Sequence, residues 1–551
     1  MHERWIVDSD PSARYPIYTR ANVGEVFPDP VTPMSATLGI TQQAEPGWRD
    51  AWERFGVITR DEYDPDNNEI IGVFGGYCYL NVSLSRIVGV RTPGLTPELI
   101  DDTFFGAQPG VPPYQPQPTD VDPVRTAAVQ ETLQWILTTE GLPELLDDQQ
   151  VLATIRDKRP DLTALSDSEL VTYIRSLMDD HFRRLFARHI FITYSATVPT
   201  GIIQQVCAEV GQPEAALRLI GGVGDVESAN PSYAMWALSR LDPESDEYAK
   251  QWHDFVHEYG SRGPNEWEMR SPTWETDPDL ALAAIDRMRL APDDASPADQ
   301  QREQAAERES LGAAILDSLE GNPEVHGQFA AALRAAPIFL AGRERSKTNA
   351  VKLVHECRLA SRELGRRMCE AGFIDDPGDF GFLREDEFDD WLHDPAAFTA
   401  EIGARKERYE ELSFVEPPFV FEGSPPHPST WPRRGARPVA VAGDGDVLQG
   451  LPGCPGRASG RARVVLDSHD PTALEPGDVL VAPITDPSWT PLFVPAAAVV
   501  VDVGAALSHA IIVSRELGIP CVVSVTDGTR RIPDGAMVTV DGDTGTVTIE
   551  D

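Results

Sequence analysis

The residues Ser508-His509-Ala510 stand where an apolar run ending at Gly504 has turned through Ala505 and Ala506 and an amphipathic stretch begins that Gly518 and Pro520 close. That order predicts a strand, a tight turn and a helix from about Ser508 to Leu517, with Ser508 or a neighbour as its cap. A helix N-terminus offers free backbone N–H groups and about half a positive charge, surroundings that a phosphoryl group prefers. A histidine there can attack phosphorus and hold the group as phosphohistidine, and Ser508 is a phosphate-binding candidate beside it. A single histidine at a strand-helix junction also fits a packing role, and spacing alone does not separate the two.

Cations able to meet such a group stand out because lysine is scarce: Lys158, Lys250, Lys347, Lys352 and Lys406 are all there are among 47 basic residues. Two of the five fall in one predicted helix, where Arg343 and Lys347 at i and i+4 share a face, with Arg358 and Arg362 further on. A solvated basic face paired to nearby carboxylates reads the same way. The acidic run Asp375 to Asp394 fits no Ca²⁺-loop spacing and reads as a solvated face, so no metal site is expected. His355, His427 and His469 have no partner spacing. The six cysteines are scattered without a C-x-x-C pair and read as buried free thiols.

The elements that must position these groups fall into unlike parts. With 551 residues, 88 acidic against 47 basic, the net charge is −41, which argues against a nucleic-acid surface, since phosphate backbones need clustered cations. No signal-like N-terminus and no apolar run of about 18 residues is present, so a cytoplasmic protein without membrane contact is expected. Residues 1–125 are rich in Pro and Gly and read as irregular, with short strands such as Glu69 to Val82. From Thr126 to about 412 apolar residues return every three or four positions, most clearly at 127–137, 170–196 and 311–368, and predict a helical body. Seven prolines between Glu416 and Pro438 mark a stiff linker over 413–445. Beyond it, over 446–551, short β-branched runs at 463–466, 479–482, 498–503, 521–525, 537–541 and 546–549 surround the single helix and predict a small α/β domain.

Five ordered segments carry a resemblance: Pro455 to Ala462, Pro476-Gly477-Asp478-Val479-Leu480-Val481, Thr485-Asp486-Pro487-Ser488-Trp489-Thr490-Pro491, Gly504 to Pro520, and Val540-Asp541-Gly542. Together they resemble the swivelling phosphohistidine domain of the phosphoenolpyruvate synthase and pyruvate phosphate dikinase superfamily, departing from it at Ala505 and Ser514. Upstream, Thr19 to Pro28 with Pro30 and Thr32-Pro33, and Tyr259-Gly260-Ser261-Arg262-Gly263-Pro264-Asn265-Glu266 with Ser261 in place of His, are similar to the substrate-binding part of rifampin phosphotransferase and of the phosphohistidine-bearing subunit of phenylphosphate synthase. The resemblance thus implies a multidomain chain: a large, mostly α-helical substrate-binding body, its N-terminal part within 1–125, then the swivelling domain. The family's ATP-grasp domain is not recognisable here, nor is a Walker-type loop.

From the resemblance follow the expected roles. His509 is the catalytic phosphoryl carrier, Arg343 and Lys347 clamp the phosphoryl group, and Asn22 and Glu25 are substrate-binding candidates, although a turn-forming Asn22 is equally admissible. Arg262 and Glu266 read as a structural ion pair. ATP and Mg²⁺ would be bound by a separate ATP-grasp partner subunit, because charging a histidine from ATP needs a site that holds the triphosphate and its metal ions. The acceptor would be a small hydroxylated molecule, aromatic or apolar, lined by the body's Trp, Phe and Leu residues. The rival reading is a non-catalytic binding or regulatory paralogue that kept the fold and lost the charging machinery.

Overall fold

The computed structural model describes residues 4–105, 110–224, 227, 229–290, 296–436, 438–466, 474–486, 489–504 and 508–550. Ala505, Pro487, Ser488 and His469 lie outside the described residues. A large, mostly helical body comes first, and a small α/β domain closes the chain.

The axis of the body is the 48-residue helix Pro323–Glu370, opened by Asn322, whose side chain accepts from the Val325 N–H, and packed lengthwise on the helix Arg183–Glu209. Its apolar spacing puts Phe329, Ala332, Ala336, Phe339, Val351, Val354 and Leu364 in the interior. The stretch 311–368, read as one helical run, is broken at Leu319–Asn322: Gly321 and the capping Asn322 separate it from the helix Pro297–Ser318. Residues 170–196 run through Asp167–Leu177, a π-helical turn Met178–Phe182 and the start of Arg183–Glu209.

Residues 1–125 are more regular than their composition suggested. They hold a π-helical segment Ser35–Ala44 and the helices Glu45–Phe55, Val82–Arg91 and Pro97–Phe105. Pro97 stands at the first position of its helix, where the missing N–H is no loss, and Pro46 lies where the π-helical segment passes into Glu45–Phe55.

Strands β1 (Ile17–Thr19), β2 (Ile71–Phe74) and β3 (Tyr77–Asn81) form an antiparallel sheet with β4 (Val420–Glu422), in the order β2-β3-β1-β4. Strand β4 comes from the Pro-rich segment, which is therefore not a free linker along its first half. Trp431 packs beside Tyr77, Tyr77 Oη donates to the Leu412 carbonyl at 2.7 Å and Tyr79 Oη to that of Pro418 at 2.8 Å, and Arg434 donates to the Pro28 carbonyl at 3.1 Å. An edge strand tolerates flanking prolines because one side needs no ladder.

The C-terminal domain is an eight-stranded sheet of β5 (Val447–Gln449), β6 (Leu451–Cys454), β7 (Arg457–Val464), β8 (Val479–Ala482), β9 (Ala498–Val501), β10 (Cys521–Val523), β11 (Met537–Asp541) and β12 (Thr546–Glu550), ordered β5-β12-β11-β7-β8-β9-β10-β6. Its centre, β7-β8-β9-β10, is parallel, and the outer pairs are antiparallel. Leu480, Val499, Val523 and Cys521 meet the helix His509–Leu517 through Ala510, Ile511, Val513 and Leu517, while Val479, Val481, Val500 and Val522 pack the other face with Val538, Val540 and Val547. A parallel centre buried on both faces explains the near-continuous Val runs. Among the described residues no helix is long and apolar enough to cross a membrane.

Candidate active site

His509 opens the helix His509–Leu517, which follows β9 and Gly504 in the chain. A Cβ on Gly504 would lie 2.8 Å from Val523 Cβ and 3.2 Å from Ser508 Oγ, so only glycine lets the strand end approach this closely. Ser508 has the extended backbone of an N-cap, yet its hydroxyl makes no capping bond: Oγ is buried and, among the described residues, unpartnered.

The imidazole is held between two hydroxyls. His509 Nδ1 lies 3.2 Å from Thr485 Oγ1 and Nε2 3.2 Å from Thr490 Oγ1, with the Phe493 ring edge-on at 5.9 Å. Burial, then the positive charges of Lys347, Arg262 and Arg343, hold its pKa well below the usual histidine range. The ring is neutral at physiological pH and keeps a lone pair for attack. Both threonines come from the Thr485 to Pro491 segment; two hydroxyls five positions apart around a turn were the available signal, and sequence reasoning gave them no role.

Arg343 and Lys347 lie on the long helix of the body, and the charges of this sequence-selected pair reach His509. Lys347 Nζ is 3.1 Å from Glu266 Oε1, and Arg343 pairs with Glu344. Arg262, almost fully buried, pairs with Glu266 at 3.1 Å and donates from Nη2 to Thr348 Oγ1 at 2.6 Å. The Arg262–Glu266 ion pair is present, and the charge of Arg262 also reaches His509. Arg358 serves the backbone instead, donating to the carbonyls of Glu266 (2.6 Å) and Glu268 (3.0 Å).

Glu25 and Asn22 part company. Asn22 is exposed, with φ 62° and ψ −58°, and the Val23 N–H donates to the Ala21 carbonyl at 2.7 Å across it, which is a strained γ-turn. It is the turn former, and its side chain makes no capping bond. The turn starts the short helix Val23–Val26, which carries the half-buried Glu25, on whose carboxyl the charges of Arg343 and Lys347 and the His509 N–H act. Burial outweighs these and pushes the Glu25 pKa up to about 7. Arg20 braces the turn from behind, donating to the carbonyls of Phe27 (2.8 Å), Pro28 (3.2 Å) and Cys78 (3.2 Å).

His189, unremarked in the sequence because it lies in an apolar helix without a partner spacing, belongs to the same cluster. Its Nδ1 is 3.2 Å from Ser346 Oγ, its ring leans on Trp267 at 6.0 Å, and burial with the charges of Arg343 and Lys347 pushes its pKa down to about 3. Trp267 Nε1 is buried without a partner among the described residues.

Three carboxylates of the C-terminal domain fasten it to the body. Asp486 Oδ2 accepts from the Asn265 N–H at 3.0 Å, Glu516 accepts from the N–H groups of Val223 and Gly224 at 3.2 Å each, and Asp543 pairs with Arg218 at 3.3 Å.

Elsewhere the structure corrects one reading. The acidic run is not merely a solvated face: Asp379 is buried between Arg270 (3.1 Å) and Lys406 (2.7 Å), and Glu387 holds Arg405 at 2.6 Å. Among the described residues no group of His, Cys, Asp or Glu is placed to hold a metal ion. His355 is buried in an ion-pair cluster with Nε2 2.9 Å from Glu275, and His427 is exposed and caps Ser429. All six cysteines are free, Cys454 and Cys521 directly opposite each other on β6 and β10.

With this geometry the comparisons agree. Residues 474–545 match the mobile domain of PEP-utilising enzymes, and residues 239–344 match the fourth domain of rifampicin phosphotransferase. The chain thus carries a segment like the mobile domain of PEP-utilising enzymes near its C-terminal end and, in its body, a segment like the fourth domain of rifampicin phosphotransferase. It is similar to an uncharacterized protein of Mycobacterium tuberculosis, 26% identical over 590 residues, which cover 98% of this chain and 62% of that protein. The prodigiosin synthesizing transferase PigC of Serratia marcescens is 31% identical over 317 residues (56% of this chain, 34% of PigC). The rifampicin phosphotransferase of Streptomyces sviceus is 30% identical over 298 residues (54% of this chain, 34% of the enzyme). The chain thus spans about three-fifths of the length of the mycobacterial relative and a third of the other two.

Proposed function

We propose that the chain is a phosphotransferase component in which His509 accepts a phosphoryl group from an ATP-grasp partner, where ATP and Mg²⁺ are bound, and passes it to a hydroxyl of a small aromatic or apolar acceptor. The observation that carries this reading is the convergence of three cations of the body, Lys347, Arg262 and Arg343, on a neutral histidine presented by another domain. A packing histidine needs no such field, whereas a dianionic phosphoryl group does. The unpartnered Ser508 Oγ at the helix start and the free N-terminal amides supply donors for it. The buried rings of Phe186 and Trp267, 6.1 Å apart, and the Trp267 Nε1 without a partner among the described residues would suit a ring-bearing acceptor with one polar group.

The relatives named for phosphoryl transfer to rifampicin support the acceptor class without naming this acceptor. With its ATP-grasp partner and ATP labelled in both its β- and γ-phosphates, the chain should take up acid-labile, alkali-stable phosphate, and His509→Ala should take up none. Equal labelling of the variant would sink the reading and leave a binding protein.

A further inference from the structure

Two thiols that the transfer chemistry does not use face each other near the seam between the C-terminal domain and the body. Cys454 of β6 stands directly opposite Cys521 of β10 in the antiparallel ladder, and both pack in the cluster under the carrier helix His509–Leu517. Opposite Cα atoms in such a ladder are about 4.5–5.5 Å apart, within the roughly 4.4–6.8 Å that a disulfide spans. The ladder skips Gly453, and a Cβ there would lie 3.2 Å from Cys521 Sγ, so the glycine leaves room for that sulfur to lean over β6. Cys454 Sγ donates to the Ser514 carbonyl of the carrier helix at 3.4 Å.

The body covers this pair. A cavity of about 230 Å³ lies between Cys454, Gly456 and Arg515 of the domain and Leu217, Arg218 and Glu307 of the body. Arg218 ties its two walls together, pairing with Glu307 at 3.1 Å and with Asp543 of the domain at 3.3 Å. Cys454 is 2% exposed and Cys521 is wholly buried. Burial pushes both thiols up, against the charge of Arg515, and a protonated thiol is a poor nucleophile.

We propose that Cys454 and Cys521 form a reversible disulfide, made by exchange with a low-molecular-weight disulfide when the domain leaves the body. The inference rests on the domain movement in the function proposed above, and not on the phosphoryl chemistry of His509. Withdrawing the body removes one wall of the cavity, admits water and lets Cys454 ionise beside Arg515. The Cys454 thiolate attacks one sulfur of the small disulfide and expels the other half as a thiolate, leaving a mixed disulfide. The Cys521 thiolate then attacks Cys454 Sγ and expels the second half. Two electrons pass from the protein to the reagent, and the two thiol protons end on the two small thiols released. The link ties β6 to β10 beneath the carrier helix and takes the sulfur donor away from the Ser514 carbonyl. Docking hides the pair and undocking exposes it, so oxidation marks the domain in its swung-out position.

The test treats the full chain with oxidised glutathione and maps its cysteines by peptide mass spectrometry without reduction. The parent should gain a Cys454–Cys521 link that dithiothreitol removes, and Cys521→Ser should stop at glutathione on Cys454. A chain carrying Asp486→Ala and Glu516→Gln lacks two contacts that fasten the domain. It should cross-link about 10-fold faster than the parent, since the rate follows thiolate fraction and access. No link in either chain, or glutathione standing on Cys454 beside an unreacted Cys521, would overturn the pairing. Equal rates in the two chains would overturn its control by docking. None of these readouts uses phosphate, so a chain that takes up no label from ATP would count against the carrier reading alone.

Discussion

At the scale of single residues, burial and the charges of Lys347, Arg262 and Arg343 hold the pKa of His509 down. Those surroundings disfavour an imidazolium, and on the proposed function they would favour the phosphorylated ring over the empty one. Lys347→Met keeps the stem and removes the charge, while Glu266 retains Arg262 as its partner. Transfer from the charged chain should fall by roughly 10²–10³-fold, the loss typical of one preorganised charge, with the parent fold retained; a single-turnover chase of labelled His509 measures it. His509 and the Arg343–Lys347 pair were legible because residue type and local spacing carry them. Thr485, Thr490 and His189 were not, since their roles depend on contacts formed only after β8, the carrier helix and two body helices have packed. Glu25 was legible as a candidate, but its surroundings depend on a γ-turn and on a residue 484 positions away.

Among the elements, helices and strands followed local rules, and the misreadings share a cause. The Pro- and Gly-rich composition of 1–125 hides helices such as Glu45–Phe55 and Pro97–Phe105, and the prolines that read as a linker flank β4. Strands β5 and β6 went unseen because each is only three or four residues long amid Gly and Pro, and long-range pairing supplies their stability. Trp431 tests the docked status of the Pro-rich segment: its ring lies over Gly75, where a Cβ would come within 2.3 Å of it. Trp431→Ala should destabilise the body by about 3 kcal/mol and expose residues 416–435 to protease, both measurable by denaturant titration and limited digestion. In the other domain, burial pushes Asp502 up to about 7 from an ordinary 3.8, against the Thr529 hydrogen bonds and Arg530, with Asp527 adding to the rise. Between those values the folded chain binds a proton that the unfolded chain has released, so its stability falls as pH rises, and the full penalty stands above pH 7. Asp502→Asn should therefore be more stable than the parent at pH 8, on the order of 1–3 kcal/mol after solvent screening, and the gain should vanish near pH 4 in thermal unfolding scans.

For the whole molecule, the net charge of −41 acquires a local meaning, because the C-terminal domain fastens to the body through carboxylates while the site between them is cationic. None of Asp486, Glu516 and Asp543 touches the histidine. Asp486→Ala combined with Glu516→Gln removes two of the three anchors and should shift the chain toward an undocked form, seen as a larger radius of gyration in solution scattering, with the histidine still chargeable by phosphoramidate. An unchanged radius would mean that apolar packing alone holds the docked form. The Pro-rich segment is tied to the body as far as Arg434, and the C-terminal domain takes hold at the next residue, where Arg530 donates to the Gly435 carbonyl at 3.3 Å, and again at Ala442, whose N–H bonds the Arg531 carbonyl. The two attachments thus meet at neighbouring residues, a hinge point rather than a leash. On the proposed function, a donor of phosphoryl groups would have to hold its nucleotide within the arc swept about that point, and the geometry of the assembled complex, not diffusion along a tether, would limit turnover.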